Sequence, residues 1–324
     1  MKIGLVYDLQ CDPTDERQAE FDPPATLDAL SSALEELGHR PVRLGGAHDI
    51  VARPQRLKDV ELVFNVAEGA DGPCREAWVP TLLEYYGVPY VGSDPFTLSV
   101  GLDKALCKRL AMAEGLLTPR WISVVHPRAL PRRLPLSFPV IVKPCREGSG
   151  RGIGAGAVVS TSEALAQRVT WLFGCCPGPI LIEEFIEWAE VTVCVIGNNP
   201  PVAYPPIQRP IDAVTRLAYH VVDPPPSQWE CPVELDDAVD QEARRIALGM
   251  VNALRVRDVA RIDLRIDREG RVYFLEINPL PSFAPEGSFG LLAESRGMPY
   301  HQVVGEVLDA ALRRLSALAG MPHA

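Results

Sequence analysis

The segment that most constrains the fold is residues 260–278, with the sequence ARIDLRIDREGRVYFLEIN. Two apolar stretches flank an Asp-Arg-Glu-Gly turn, which predicts a β-hairpin. Glu276 and Asn278 are two residues apart, so on a strand both side chains point to the same face. Pairing of the strands would bring Asp263 beside them, and such oxygen ligands suit Mg²⁺. Buried acids without a cation would be costly. The alternative to a metal site is therefore a surface hairpin whose acids face water.

A glycine-rich loop follows a predicted strand at residues 140–142, in the sequence FPVIVKPCREGSGRGIGAGAV. The strand leads to Lys143, whose ammonium group can pair with a phosphate. Glycines let backbone N–H groups approach a polyphosphate closely. The valines at 158–159 predict a strand–loop–strand flap, whereas a dinucleotide fingerprint should open a helix, and no Walker sequence occurs. The alternative is a flexible linker. The loop residues expected to contact a nucleotide are Glu147, Ser149, Gly150 and Gly152.

A third segment, PILIEEFIEWAEVTVCVI at residues 179–196, predicts two strands at 180–182 and 191–196 with acids between them. An adenine needs an apolar slot with backbone hydrogen-bonding groups, and a ribose needs a carboxylate for its hydroxyls. The alternative, a plain strand pair with solvated acids, is the commoner arrangement for such a segment taken alone. The candidate nucleotide contacts are Glu183, Glu184, Phe185, Ile186 and Glu190.

Together and in this order, these segments resemble the ATP-grasp enzymes, and among them the D-alanine–D-alanine ligases. The resemblance includes Lys104 in VPYVGSDPFTLSVGLDKALCKRLAMAEGLLTP, and Arg261, and NPLPSF after the hairpin, so it extends over nearly the whole chain. Each segment alone is a weak signal, whereas the ordered set is specific. The resemblance implies an ATP-dependent ligase that joins a carboxylate to an amine through an acylphosphate.

The resemblance also implies roles for individual residues. Arg261 and the backbone N–H of Ser282 would stabilise negative charge on the reacting carbonyl, although glycine is usual at the second position. Mg²⁺, with Mn²⁺ as the alternative, would bridge the β- and γ-phosphates. The implied metal ligands are Asp263, Glu276 and Asn278. The implied ATP contacts are Lys104 and Lys143 at the phosphates, Glu183 with the backbone near Phe185 and Ile186 at the adenine, and Glu190 at the ribose.

The segments that should bind the amino acids depart from the family pattern. The family has a Ser-x-Glu element after its first strand, whose Glu holds the amine of the first D-alanine, and no clean match occurs here. Glu68 stands where the family has His, and this exchange favours a substrate with an amine at that position. Arg216 is the candidate for a lysine in the closing loop, and Ser288 for a contact to the product carboxylate. The candidates for the missing Glu are Asp8, Asp15, Glu16 and Glu20, and the closing loop also contains Tyr219 and His220.

The spacing of apolar residues predicts an α/β fold in which strands and helices alternate near the N-terminus. The predicted strands there are 3–7 and 61–66, and the predicted helices are 25–37 and 80–86; further helices are predicted at 235–254 and 300–318. With the resemblance, this predicts an ATP-grasp architecture. Its parts are a small parallel α/β domain at 1–95, a central subdomain with the glycine flap at 96–195, and a C-terminal α+β subdomain with the metal and catalytic residues at 196–324.

Composition agrees with an enzyme of this kind. The 324 residues are 47% hydrophobic and 23% charged, which is typical of a folded chain with several subdomains. The net charge of −10 argues against nucleic acid as a partner, and no apolar run reaches membrane-spanning length. The first residues turn acidic too quickly for a signal peptide, so a cytoplasmic location is expected. The expected partners are small amino-acid substrates, and the resemblance favours a homodimer.

Rival functions remain open at this point. An ATP-grasp ligase for another amino acid or for a secondary metabolite is favoured nearly as strongly as a D-alanine ligase, because the first-substrate element is altered. A nucleotide-binding regulator without ligase activity is a second rival, although a mere binder has no need of Arg261. A phosphotransferase resembling a kinase is the weakest of the rivals.

Overall fold

The computed structural model of the chain describes residues 1–154, 156–176, 178–218, 229–231 and 235–319. The helices in these ranges are α1 (Pro24–Glu36), α2 (Ala47–Ala52), α3 (Trp78–Tyr86), α4 (Pro95–Gly101), α5 (Lys104–Ala113), α6 (Ser162–Cys175), α7 (Asp237–Leu254), α8 (Ser288–Ser295) and α9 (Tyr300–Ala319). The strands are β1 (Lys2–Val6), β2 (Arg40–Gly45), β3 (Leu62–Asn65), β4 (Tyr90–Val91), β5 (Trp121–Val124), β6 (Val140–Pro144), β7 (Val158–Val159), β8 (Ile180–Glu184), β9 (Ala189–Ile196), β10 (Val202–Ala203), β11 (Ile207–Arg209), β12 (Ile211–Asp212), β13 (Trp229–Glu230), β14 (Val259–Ile266) and β15 (Val272–Asn278). None of the described helices is both long enough and apolar enough to cross a membrane.

The N-terminal sheet is parallel, with the strand order β2-β1-β3-β4. Helix α1 begins with a proline at its first positions, where the missing N–H is not needed. Its Leu27, Leu30 and Leu34 recur at helical spacing and are fully buried. The predicted alternation of strands and helices in this region is therefore confirmed, with each boundary within two residues of the prediction.

The central sheet is antiparallel, with the order β5-β8-β6-β7. Helix α6 packs on it through Leu165, Val169 and Leu172, which join the strand residues in one apolar core. The glycine-rich loop connects β6 to β7, and these two strands pair directly. The predicted strand–loop–strand flap is thus confirmed, and no helix begins within the loop in the described residues.

The C-terminal sheet has the order β10-β9-β14-β15, and β11 also pairs with β9. The predicted hairpin of β14 and β15 is confirmed, with Asp263 opposite Glu276 and Arg261 opposite Asn278. Strand β9 pairs with β14 along its whole length. The predicted boundary after residue 195 would separate these two strands, so we propose that the central and C-terminal units divide at residues 185–188 instead.

The C-terminal helix α9 returns to the N-terminal domain. Its Val304 and Leu308 are buried in the same apolar core as Ile3 and Leu27. Arg314 on this helix forms an ion pair of 2.6 Å with Asp258, a fully buried carboxylate just before β14. One apolar core therefore joins the N-terminal domain to strand β14 of the hairpin. Residues of both regions line a cavity between them.

Candidate active site

Residues from the N-terminal domain, the glycine-rich loop and the C-terminal sheet line one cavity of about 430 Å³. A small recess of about 70 Å³ adjoins it and shares Glu276 and Ile153 with it. The polar residues of the cavity are Glu20, Glu68, Glu76, Lys104, Glu147, Ser149, Arg209, Arg261, Glu276, Asn278 and Ser282. The polar residues of the recess are Lys143, Glu183, Glu184, Glu190, Asp263, Arg265 and Glu276.

The candidate metal ligands lie together on the β14–β15 hairpin because a one-residue register shift between Asp263 and Leu264 brings Asp263 opposite Glu276. Asp263 faces Glu276 across the strands, and Asn278 is two residues further along β15. Thr192 Oγ1 on β9 donates a hydrogen bond of 2.6 Å to Asp263 Oδ1. Within the described ranges, no three His, Cys, Asp or Glu side chains are grouped as a metal site. Two carboxylates and an amide fit an ion that completes its shell with phosphate and water oxygens.

Cations accompany both carboxylates of the hairpin. Lys104 Nζ is 3.1 Å from Glu276 Oε2, and Arg261 Nη2 is 2.8 Å from Asp263 Oδ2. Burial opposes ionisation of Glu276, but the charges of Lys104, Lys143 and Arg261 outweigh it and lower its pKa to about 2. Burial likewise opposes the charge on Arg261, whose pKa is nevertheless raised by Asp263. Glu276 and Arg261 are therefore both charged at neutral pH.

The recess contains a buried triad of one carboxylate and two lysines. Glu183 Oε1 is 2.5 Å from Lys143 Nζ, and Glu183 Oε2 is 2.6 Å from Lys108 Nζ. The side chains of Glu183 and Lys108 are 1% and 0% exposed, so this pair is desolvated. Burial disfavours the charge on Glu183, yet the two lysines lower its pKa below the usual value. Glu183 thus pairs with two lysines, and the adenine contact implied by the resemblance stays a prediction.

The remaining recess residues are organised by Arg265, which the sequence analysis did not single out. Arg265 Nη2 is 3.0 Å from Glu190 Oε2, and its Nη1 donates to the carbonyl of Ile186 at 3.0 Å. Its guanidinium also lies 4.8 Å from the ring centroid of Phe185. Glu184 instead turns toward the outside, where its Oε1 accepts from the backbone N–H of Ser137 at 2.8 Å. The signal for Arg265 was its position two residues after Asp263 on the same strand face.

The glycine-rich loop curves around the cavity through residues in left-handed conformations. Ser149 and Gly150 have φ of 47° and 70°. The carbonyl of Glu147 accepts a hydrogen bond of 2.7 Å from Lys104 Nζ, while its carboxylate pairs with Arg151 at 2.9 Å. Glu147, Ser149 and Gly150 line the cavity. Gly152 lies instead against Pro144 and Leu172, where a Cβ would come within 3.2 Å of both side chains.

Of the four acids considered for the first-substrate contact, Glu20 lines the cavity. It is anchored by Arg75, whose Nη2 is 2.6 Å from Glu20 Oε2, and by the backbone N–H of Gly148, which donates to Glu20 Oε1. Asp15 pairs with the exposed Arg17, and Asp8 accepts from the backbone N–H of Gly69. Glu20 and Gly148 are 128 positions apart in the chain, so their contact depends on the packing of the N-terminal domain against the loop.

The other predicted substrate residues fall in different places. Ser282 lines the cavity, and its hydroxyl donates to Asp22 Oδ1 at 3.4 Å. Ser288 is buried, and its hydroxyl accepts a 2.7 Å hydrogen bond from Arg209, a cavity residue that sequence reasoning missed. Arg216 donates to the carbonyl of Trp188 at 3.1 Å and lies over the Trp188 ring. Tyr219 and His220 lie outside the described residues.

Comparison with known proteins gives a consistent result. The family model described as D-ala D-ala ligase C-terminus matches residues 125–309. An uncharacterized protein, y4sG, of Sinorhizobium fredii is 30% identical over 301 residues, which cover 89% of this chain and 87% of that protein. A D-alanine–D-alanine ligase of Cupriavidus metallidurans is 31% identical over 234 residues, 71% of this chain and 70% of that protein. The crystal structure of the Bacillus anthracis D-alanine–D-alanine ligase complexed with ATP has a TM-score of 0.74 at 21% identity, and the match covers 97% of this chain and 98% of that one.

Proposed function

The chain belongs to the D-alanine–D-alanine ligase family, and we propose that it uses ATP to join the carboxylate of one small amino acid to the amine of another. The observation that carries this proposal is the meeting of the hairpin carboxylates, Arg261 and the glycine-rich loop around one cavity. Such a site binds a triphosphate beside a group that can receive its terminal phosphoryl. The role of each residue in the two reaction steps is also proposed.

In the first step, a substrate carboxylate oxygen attacks the γ-phosphorus of ATP and ADP leaves, which produces an acylphosphate. Lys104 and Lys143 are the proposed phosphate contacts, and this is supported by the position of Lys104 at the cavity and of Lys143 at the recess. In phosphoryl transfer the protein mainly positions groups and offsets charge. Mg²⁺, when bound by Asp263, Glu276 and Asn278, supplies further neutralisation of the phosphate oxygens.

In the second step, the amine of the other amino acid attacks the acyl carbon, phosphate leaves, and the nitrogen loses a proton to yield the amide. Negative charge develops on the carbonyl oxygen during this attack. Arg261 remains cationic beside the hairpin and can stabilise that charge. The backbone N–H of Ser282 is a second candidate donor, since Ser282 borders the same cavity.

The recess is the proposed place of the nucleoside. Phe185 and Leu275 offer apolar surface there, and Glu190 offers a carboxylate for the ribose hydroxyls. Arg265 holds Glu190 and the backbone near Ile186 in position. A cytoplasmic location remains a prediction from the sequence, and a homodimer remains a prediction of the family resemblance.

The test is ATP-dependent trapping of the acylphosphate by hydroxylamine, which converts it to a hydroxamate without need of the second substrate. Purified protein would be incubated with Mg-ATP, hydroxylamine and single amino acids of both configurations. We expect ADP and hydroxamate in equal amounts with at least one amino acid. ATP binding without hydroxamate from any amino acid would contradict the ligase function and favour a nucleotide-binding regulator.

A further inference from the structure

The two walls of the cavity differ in charge. The wall formed by the C-terminal sheet presents Arg209 and Arg261, while its one carboxylate, Glu276, is paired with Lys104. The wall formed by the N-terminal domain presents Glu20, Glu68 and Glu76. An amino acid is a zwitterion, so its carboxylate suits the first wall and its ammonium group suits the second.

The N-terminal wall has more negative charge than one ammonium group requires. Glu20 already has a partner, because Arg75 binds it at 2.6 Å. The guanidinium of Arg75 also donates to the carbonyl of Arg146 at 2.9 Å, which occupies its other side. The side chains of Glu68 and Glu76 form no ion pair or hydrogen bond within the described part of the chain.

Glu76 is the sharper case of the two. Its side chain borders the cavity although the residue is only 5% exposed, and its Oε2 is buried without a hydrogen-bond partner among the described residues. A buried carboxylate without a partner is costly, so either a proton or a cation should occupy this position. Burial, more than the neighbouring acids, raises the pKa of Glu68 well above its usual value and that of Glu76 to about 8.

We propose that Glu68 and Glu76 bind the side-chain ammonium group of the amino-acid substrate, which is therefore a diamino acid. This inference rests on the proposed ligase function. The α-ammonium group lies toward Glu20, and the α-carboxylate lies toward Arg261, where it receives the phosphoryl group. The side-chain amine takes no part in the reaction, whose bonds form and break as in the two steps above.

An alanine side chain fits this wall poorly. Its methyl group would face carboxylates that it cannot hydrogen-bond, and Glu68 and Glu76 would remain without a counter-ion. The side-chain ammonium group of a diamino acid supplies donors to both carboxyl groups and offsets one negative charge. The two carboxylates come from the loop after β3 and from the short helix Arg75–Ala77. They thus approach the cavity from the same domain but from separate segments.

The test compares isosteric substrates that differ only in the terminal group. Hydroxamate formation would be measured with 2,4-diaminobutyrate against norvaline, and with ornithine against norleucine, each as both enantiomers, with alanine alongside. For one enantiomer we expect kcat/KM to be at least about tenfold higher for the diamino acid, which corresponds to about 1.4 kcal/mol of discrimination. The advantage should shrink severalfold in Glu76→Gln and in Glu68→Gln. It should persist in Glu35→Gln, which removes the same charge from an exposed position on α1.

The outcomes separate this inference from the ligase function. Hydroxamate from alanine or norvaline at an efficiency equal to that of the diamino acids would overturn the diamino-acid proposal and leave the ligase in place. Hydroxamate from no amino acid, with ATP still bound, would overturn both. The comparison of isosteres uses the unaltered protein, so it decides the question even when a variant does not fold.

Discussion

On the hairpin and in the recess, carboxylates are matched with cations, whereas on the N-terminal wall Glu68 and Glu76 have no ion pair among the residues that the structure describes. Glu276 has Lys104 at 3.1 Å, and Glu183 lies between two lysines. Matched pairs hold side chains in place before the ligand arrives, which suits a site whose ligand is a polyphosphate. A buried carboxyl group without a partner keeps a proton until a cation replaces it, which suits recognition of a cationic ligand.

The hairpin with the recess and the N-terminal wall therefore differ in what their side chains have to bind. In the proposed reaction, the hairpin and the recess serve the same phosphoryl transfer from ATP, whichever amino acid is bound. In our proposal the N-terminal wall sets which amino acid fits, and this wall includes Glu68, where the sequence departs from the family pattern. Single substitutions in the two regions test this difference in charge pairing.

Glu276→Gln is expected to lower kcat/KM for amide formation by about 100- to 1,000-fold, because it removes a charged ligand for the metal and the partner of Lys104. Thermal unfolding should change little, since Gln has the same shape. The matched control is Glu269→Gln in the exposed turn of the same hairpin, which should keep full activity. Normal turnover of the Glu276→Gln protein would remove this residue from the metal site.

Lys108→Met is expected to destabilise the fold by about 3–5 kcal/mol, the usual cost of leaving one member of a buried ion pair without its partner. Glu183 would keep Lys143 but lose its 2.6 Å contact to Lys108. The free energy of unfolding would be measured by chemical denaturation. Lys58→Met at an exposed position serves as the control. An unchanged denaturation midpoint would show that the triad does not depend on Lys108.

Lys143→Ala is expected to raise KM for ATP about tenfold, which corresponds to the loss of about 1.4 kcal/mol of phosphate contact. The KM values of the amino acids should change much less, because Lys143 borders the recess. Steady-state kinetics with each substrate varied in turn would separate the two effects. Lys58→Ala is the control, and an equal rise in all KM values would argue against a specific ATP contact.

Glu76→Gln is expected to have the smallest effect, a rise of a few degrees in Tm at pH 8 and little change at pH 5. Burial raises the pKa of Glu76 to about 8, so the folded state binds this proton more tightly than the unfolded state. The associated stability is complete below the unfolded pKa of about 4.5 and is lost as the pH rises through about 8. Unfolding curves at several pH values would check this. The variant should lack that part of the pH dependence, and curves parallel to those of the unaltered protein would contradict it.

Sequence reasoning reached furthest where local geometry decides the outcome. The turn and the two apolar stretches predicted the hairpin itself, but a one-residue register shift between Asp263 and Leu264, which the turn does not determine, brings Asp263 opposite Glu276. The leucine spacing of α1 likewise determined which side is buried. The order of the segments identified the family, which the comparisons support. These results depend on residues close together in the chain.

Other features depended on packing between distant segments. The spacing of residues could not show that Glu183 lies between two lysines, that β9 joins the C-terminal sheet, or that Arg265 holds Glu190. The position of Glu20 at the cavity likewise depends on its contact with Gly148 in the glycine-rich loop.

The sequence by itself determined the fold class, the presence of the hairpin and the family, because periodicity and short turns act within a few residues. The tertiary structure decided which charges meet. Glu20 obtains Arg75, while Glu76, next to that arginine in the chain, is buried at the cavity without a partner among the described residues. The physical reason is that burial and ion pairing depend on how whole domains pack, and no local pattern contains that information.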